Sequence, residues 1–266
     1  GTGPAAGNGG NAATGFVGVE SKDRVGFPAE RGVLTANTIT GQAVATGGLG
    51  AVNGSSTLRG GNLFRVLNGD AEIGSVSMTF AGDLYDGTDG PDLISIRDGT
   101  ATIAGSFAYS TTGELALDAD NGSMIADTIA LSAGNFVSDN FNPAPTTPGT
   151  YVASSFDIGT GQDFVTSAHL DSVADFTLSV PGSIAAANIF TDGALVLSAT
   201  AGSISTGDLS AEGDVTVDAA DLITAGNINA GGAIMFSADT INALDMTAGS
   251  FIDLFAGGAA TVVVGD

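Results

Sequence analysis

Between Ala174 and Ala256 the chain repeats one short phrase five times. If the first residue of each alternating run is taken as an anchor, the anchors are Ala174, Gly193, Gly213, Gly232 and Ser250, spaced by 19, 20, 19 and 18 residues. Two positions after the anchor stand Phe176, Leu195, Val215, Ile234 and Ile252; four after it, Leu178, Leu197, Val217, Phe236 and Leu254. Six after it stand Val180, Ala199, Ala219, Ala238 and Ala256. Upstream of each anchor, Leu170, Ile189, Leu209, Ile228 and Met246 occupy the position four before, and Val165, Ile184, Ile204, Ile223 and Ile241 the position nine before. All of these stations are apolar.

Apolar residues two apart mark a half-buried strand, and the single upstream stations mark two further short inward-facing segments. Glycine and small polar residues separate the three, as at Gly182-Ser183 and Gly202-Ser203, where the chain must turn. A unit of this size cannot bury its own apolar face, but it can when stacked on a neighbour. The expected fold is therefore all-β: a right-handed parallel β-helix, or β-solenoid, with coils of about 18–21 residues, each strand pairing with its counterpart one coil away. An α-helical repeat is disfavoured by the period of two and by the glycine and β-branched content.

Upstream, Gly113-Glu114-Leu115-Ala116-Leu117-Asp118-Ala119 fits the same phrase, and the runs beginning at Ala71, Ala101 and Asp127 alternate in the same way. The expected organisation is a glycine-rich lead-in over 1–15, irregular coils over 16–138, a proline-rich projecting loop over 139–150, and regular coils over 151–266. One polar column runs through the regular part, five before each anchor: His169, Asn188, Asp208, Asn227 and Asp245. Asparagines so stacked suit a side-chain amide ladder, and the aspartates suit an exposed turn. His169, the only histidine, reads as the turn residue of this column.

Charge separates along the chain. All six basic residues lie within the first 97 positions, which carry a net charge of −3, whereas 98–266 carry −20 and no base. Such a surface repels nucleic acid and anionic membranes and favours cations. There is no cysteine for disulfides or thiolate metal sites. No apolar window is long enough to cross a bilayer as a helix, and membrane insertion is not expected.

Repeats of about 20 residues built from a Gly-x-Φ-x-Φ-x-Ala strand with flanking Gly-Ser-Ile turns resemble the β-helical shaft of filamentous-haemagglutinin-like exoproteins and related autotransporter passengers. The resemblance is best over 165–256 and looser over 33–138. It implies secretion to the bacterial surface, a long fibre, and roles in adhesion, biofilm or contact with other cells. The Asn-Pro-Asn motif of the family's secretion domain is missing, and Asn142-Pro143-Ala144 departs from it at the third residue. No C-terminal membrane barrel follows. Both departures suit an internal piece of a longer protein or a different β-solenoid. The closing residues Val262, Val263 and Val264 form a strand-like run without a polar cap. The expected partners are thus the chain itself or its continuation through the solenoid ends, together with a host or cell-surface receptor or a polysaccharide.

No catalytic residue emerges. The regular stack has no Lys or Arg for the proton chemistry of polysaccharide lyases. The only histidine sits in Ala168-His169-Leu170, which is not the Gly-His-Gly of polygalacturonase-like hydrolases. No nucleophile elbow, phosphate loop or zinc spacing appears. The chain therefore reads as a structural or adhesive element, with a carbohydrate-binding or carbohydrate-processing β-helix as the alternative. Tryptophan is absent and only Tyr85, Tyr109 and Tyr151 are available as tyrosine platforms, which favours the first. The candidate ligand set is Asp83, Asp86, Asp89 and Asp92. These aspartates recur every three residues around Gly87 and Gly90, and hard oxygen donors on a glycine-rich loop suit calcium.

Overall fold

The computed structural model describes residues 12–13, 18–22, 33–46, 56–86, 88, 90–138 and 147–257. Among them the structure is all β, with no helix. The strands form five sheets, and every strand pairing in them is parallel; an isolated bridge between Asp120 and Pro148 is the one antiparallel contact among the described residues.

The longest sheet has ten strands. Five are long: Val33–Val44, Asp70–Ala81, Thr100–Thr111, Ser123–Ala133 and Thr150–Thr160. Five short ones follow in the same order: His169–Ser172, Ile189–Thr191, Leu209–Ala211, Ile228–Ala230 and Met246–Ala248. In the second half of the chain two five-stranded sheets accompany it. One runs from Phe164–Val165 through Ile184–Ala186, Ile204–Thr206 and Leu222–Ala225 to Thr240–Ala243. The other runs from Phe176–Val180 through Leu195–Ala199, Val215–Ala219 and Ile234–Ala238 to Ile252–Ala256. Upstream, a further five-stranded sheet joins Gly18–Lys22, Leu63–Leu67, Asp92–Arg97, Glu114–Asp120 and Asn135–Val137, and a small three-stranded sheet completes the set.

Register places like residue on like. Phe176, Leu195, Val215, Ile234 and Ile252 face one another in succession, as do Ile184, Ile204, Ile223 and Ile241. The first four of the former column are buried at 0–1 % exposure. Residues from the long sheet and all three five-stranded sheets close one continuous apolar cluster. At the rate for apolar area removed from water, roughly 25 cal/mol per Å², these columns are the main source of cohesion.

Three sequence expectations change. First, the station nine before Ala174 belongs to Phe164, which pairs with Ile184 and is fully buried; Val165 is one step out of phase and only half-buried. Second, the spacing of 18–21 residues does not extend upstream. Cross-strand partners there are 30, 23 and 27 residues apart, as in Asn62–Asp92, Ser95–Asp118 and Asp120–Thr147. The added length goes into strands of 11 or 12 residues that cover what two short strands cover later. Within Asp70–Ala81 the buried positions switch from Ala71 and Ile73 to Val76, Met78 and Phe80, so the strand turns its face partway along. The ladder is irregular at this level. Third, Glu114–Asp120 shares the repeated phrase but lies in the sheet of Leu63–Leu67 and Asp92–Arg97, not with the anchor runs. Period two identifies a strand, and says nothing of which sheet it joins.

The polar column has a different chemistry from an amide ladder. His169 Nδ1 accepts the N–H of Asn188 at 3.1 Å, Asn188 Oδ1 accepts that of Asp208 at 2.9 Å, and Asp208 Oδ1 accepts that of Asn227 at 2.8 Å. Each side chain holds the backbone of the next repeat, so only the acceptor atom matters and Asn, Asp and His interchange. Asp163, Asp175 and Asp214 do the same at other turns, accepting from Ser183, Ala194 and Ala233. Except before Asn188, the residue preceding each of these donors is a glycine, for a steric reason: a Cβ on Gly232 would collide with Asp214 Oδ1, and one on Gly207 with Asn188 Oδ1.

Ile223→Asp, at 0 % exposure, is expected to lower stability by roughly 3–5 kcal/mol, because the charge has no partner in the column. Val173→Asp, at a 56 % exposed position, is expected to be nearly neutral. Urea unfolding followed by circular dichroism checks both.

Candidate functional site

The aspartates singled out for calcium divide between surface and interior. Asp83 and Asp86 are exposed. The N–H of Asp83 donates to Ser56 Oγ at 2.8 Å, and Asp86 Oδ1 accepts the N–H of Thr88 at 3.2 Å, an Asx-type turn. Asp89 lies outside the described residues. Asp92 is fully buried at the start of its strand, in phase with Ile94 and Ile96 and opposite Leu115. Its carboxylate serves the interior. Among the described residues no three His, Asp or Glu side chains gather as a metal-ligating group.

Asp92 heads the polar cluster that the structure does assemble. Asn62 precedes Leu63–Leu67 in the inward phase of Phe64 and Val66, and is itself fully buried. Asp92 Oδ1 accepts both the Asn62 backbone N–H at 3.0 Å and its Nδ2 at 2.9 Å. Asn62 Nδ2 also donates to the Arg59 carbonyl at 2.9 Å, and the Tyr109 hydroxyl donates to the Asn62 carbonyl at 3.4 Å. Burial pushes the Asp92 carboxyl up to about 6, against the pull of its contacts to Asn62, Thr111 and Tyr109. Burial and the neighbouring Asp92 charge likewise push the Tyr109 hydroxyl far upward, so it stays protonated and can donate.

A second cluster lies one strand along. Asp118 Oδ2 accepts Ser95 Oγ at 2.9 Å and Arg97 Nε at 2.6 Å, with Asp118 almost wholly out of solvent. The Tyr151 hydroxyl donates to the Asp118 carbonyl at 3.0 Å. Ser95 and Asp118 face each other in register. Neither cluster has an open face: Asp92 and Ser95 are at 0 % exposure and Asp118 at 2 %. They fix the irregular upstream strands to one another, and a buried ion pair so bonded is costly to break.

An open groove on the outer side of the ten-stranded sheet is lined by Phe190, Asp192, Ser210, Glu212 and Asn229. It borders Asp171, whose carboxyl is raised by partial burial and by the Asp192 charge. His169 stands beside it with its ring centroid 6.3 Å from that of Phe190, held by its bond to Asn188 as a corner residue.

The sequence singled out Asp92 for the wrong reason. The spacing of aspartates suggested a loop, while the alternation Asp92-Ile94-Ile96 already placed its side chain with the core. The partnership with Asn62 spans 30 residues of irregular spacing and had no local signal. No family model matches the chain, and no curated protein or solved structure matches it.

Asp92 gives a pH signature. Its proton is held more tightly in the folded state than at the ordinary value of 3.8. The stability it contributes is thus fully present below pH 3.8 and is lost as pH rises through about 6. Asp92→Asn keeps an oxygen for both Asn62 bonds and carries no charge. It is expected to raise stability at pH 7 by up to ~3 kcal/mol and to flatten the change between pH 4 and 7. Thermal melts of both proteins across that range check it.

Proposed function

We propose that the chain is a right-handed parallel β-solenoid and that it serves as a structural or adhesive segment of a fibre secreted to, or held at, a bacterial surface. The observation that carries the fold is the succession of counterparts: in the regular part, each strand pairs with the one a repeat later, and three sheets advance together by 18 to 20 residues. Parallel neighbours need a crossover, and crossovers are right-handed in nearly all cases. A single strand order running ten deep implies a stack roughly 45 Å long at the usual strand spacing.

The functional part of the reading rests on what the residues are used for. The conspicuous polar side chains of the regular stack hold backbone from one repeat to the next, and the buried ones tie strands together. The outer faces are acidic and rich in Ser, Thr, Ala and Asn. This surface suits an extended object that stays dispersed by self-repulsion and meets other surfaces through many weak contacts. A receptor or polysaccharide on another cell is the corresponding partner.

Small-angle scattering separates a rod of solenoid cross-section from a closed parallel barrel; a compact, near-spherical profile of the monomer overturns the fold. Immunogold labelling of intact producing bacteria tests location and use. Label at the cell surface or on fibres is expected, and label seen only after lysis overturns it.

A further inference from the structure

We infer that the chain carries a built-in seam between Ser155–Thr160 and Phe176–Val180, which opens while both flanking parts stay folded. The inference rests on strand pairing and not on the cell-surface reading. Thr150–Thr160 pairs with Ser123–Ala133 along its whole length, but with the next strand, His169–Ser172, only from Thr150 to Ala153. Phe176–Val180 stands at the matching place one repeat on, with the Phe156 and Phe176 rings 5.4 Å apart in an edge-on contact. Yet it pairs only with the strand after it, Leu195–Ala199. Two backbone bonds bound the seam, from Val173 N–H to the Ala153 carbonyl at 3.0 Å and from Gly182 N–H to the Gln162 carbonyl at 3.1 Å. No backbone bond joins the two strands between them.

The core is thinner at this level. Phe156 and Ile158 are only half-buried, whereas their register partners Ile129 and Leu131 are at 0 and 5 % and Phe176 and Leu178 at 1 and 0 %. The sequence contributes to the break through Pro181. The residue that follows each strand on this side donates its N–H to the level before: Gly161 to Ala133, Thr200 to Val180, Ala220 to Ala199 and Gly257 to Ala238. Pro181 holds the same place and has no N–H to give. Elsewhere at this level the chain stays joined. Thr150–Ala153 pairs with His169–Ser172, Phe136 N–H donates to the Asp163 carbonyl at 3.1 Å, and Leu117 bridges Thr166. Opening the seam therefore exposes the Phe156 and Leu178 layer without parting the two halves. It gives an otherwise continuous ladder one fixed place to flex.

Two measurements test the inference. The first is amide exchange on the unsubstituted chain. Phe176 N–H donates forward to the Ala194 carbonyl at 2.8 Å, so strand alternation turns the Thr177 and Ser179 amides to the seam. They are expected to exchange roughly tenfold or more faster than Val196 and Ser198, their counterparts one repeat on. The bonded amide of Val173 is likewise expected to exchange faster than that of Asp192, which makes the equivalent bond to Ser172 at 3.0 Å. The second uses the absence of cysteine from the chain. Leu178→Cys and Leu197→Cys place one thiol each at paired positions of one column, both at 0 % exposure. Under native conditions a thiol reagent is expected to modify the first roughly tenfold or more faster than the second. Circular dichroism confirms that both variants fold. Equal modification rates overturn the inference, and so does a Val173 amide as well protected as that of Asp192. Thr177 and Ser179 amides as slow as Val196 and Ser198 overturn it as well, since the edge would then be paired.

Discussion

Parallel pairing in register between successive repeats is the constraint on which the rest of this structure depends. A short strand in the regular part buries very little by itself. Its apolar side chain becomes core only because the same station of the next repeat lies against it, as Leu195 lies against Phe176 and Val215. The backbone bonds and the side-chain columns are satisfied by the same displacement. Stability is therefore a nearest-neighbour property, and a defect in one repeat is felt by the two that flank it. The thinness of the columns also explains the composition. Ala199 and Ala219 continue the column that Val180 opens, and with Ala238 they fill it with small buried side chains.

The corners solve a second problem. A chain that turns three times in about 20 residues leaves backbone N–H groups unpaired at each bend. Here the carboxylate or amide of the repeat before accepts them, and a glycine leaves room for its oxygen. Four aspartates of the regular part, Asp163, Asp175, Asp208 and Asp214, are put to this use. Negative charge at the corners does not compete with the core, because the carboxylates sit at turns and the oxygen that bonds the backbone leaves the other toward water. The same geometry makes the column indifferent to formal charge, which is why Asn188 and Asp208 follow one another without disruption.

The upstream half keeps the pairing and relaxes the period. Long strands turn their buried face partway along, and the sides are joined by polar contacts deep in the fold. Asp92 with Asn62, and Asp118 with Ser95 and Arg97, are bonded across strands that local sequence does not relate. Their cost is the desolvation of the charged forms, visible in the raised Asp92 carboxyl. Their effect is to allow only the register in which these partners meet, since a slip of one residue would strand a buried charge.

Sequence alone determined the strands of the regular part, their inward faces and their order, because period two and a repeat of about 20 residues leave few ways to hide the apolar side chains. It also determined that the polar column lies at a turn. It misplaced the first repeat by one residue, taking Val165 for Phe164, since two adjacent apolar residues give no phase without a partner strand. It read Asp92 as a surface ligand because aspartates spaced by three dominate the local pattern, although the phase of Ile94 and Ile96 was there to be used. Which sheet Glu114–Asp120 joins, how far apart the upstream partners are, and which atoms the corner side chains hold were decided only by the tertiary structure. The physical reason is common to all three. Those choices are made between residues 19 to 30 positions apart, and a hydrogen bond across that distance exists only once the neighbouring repeat is in place.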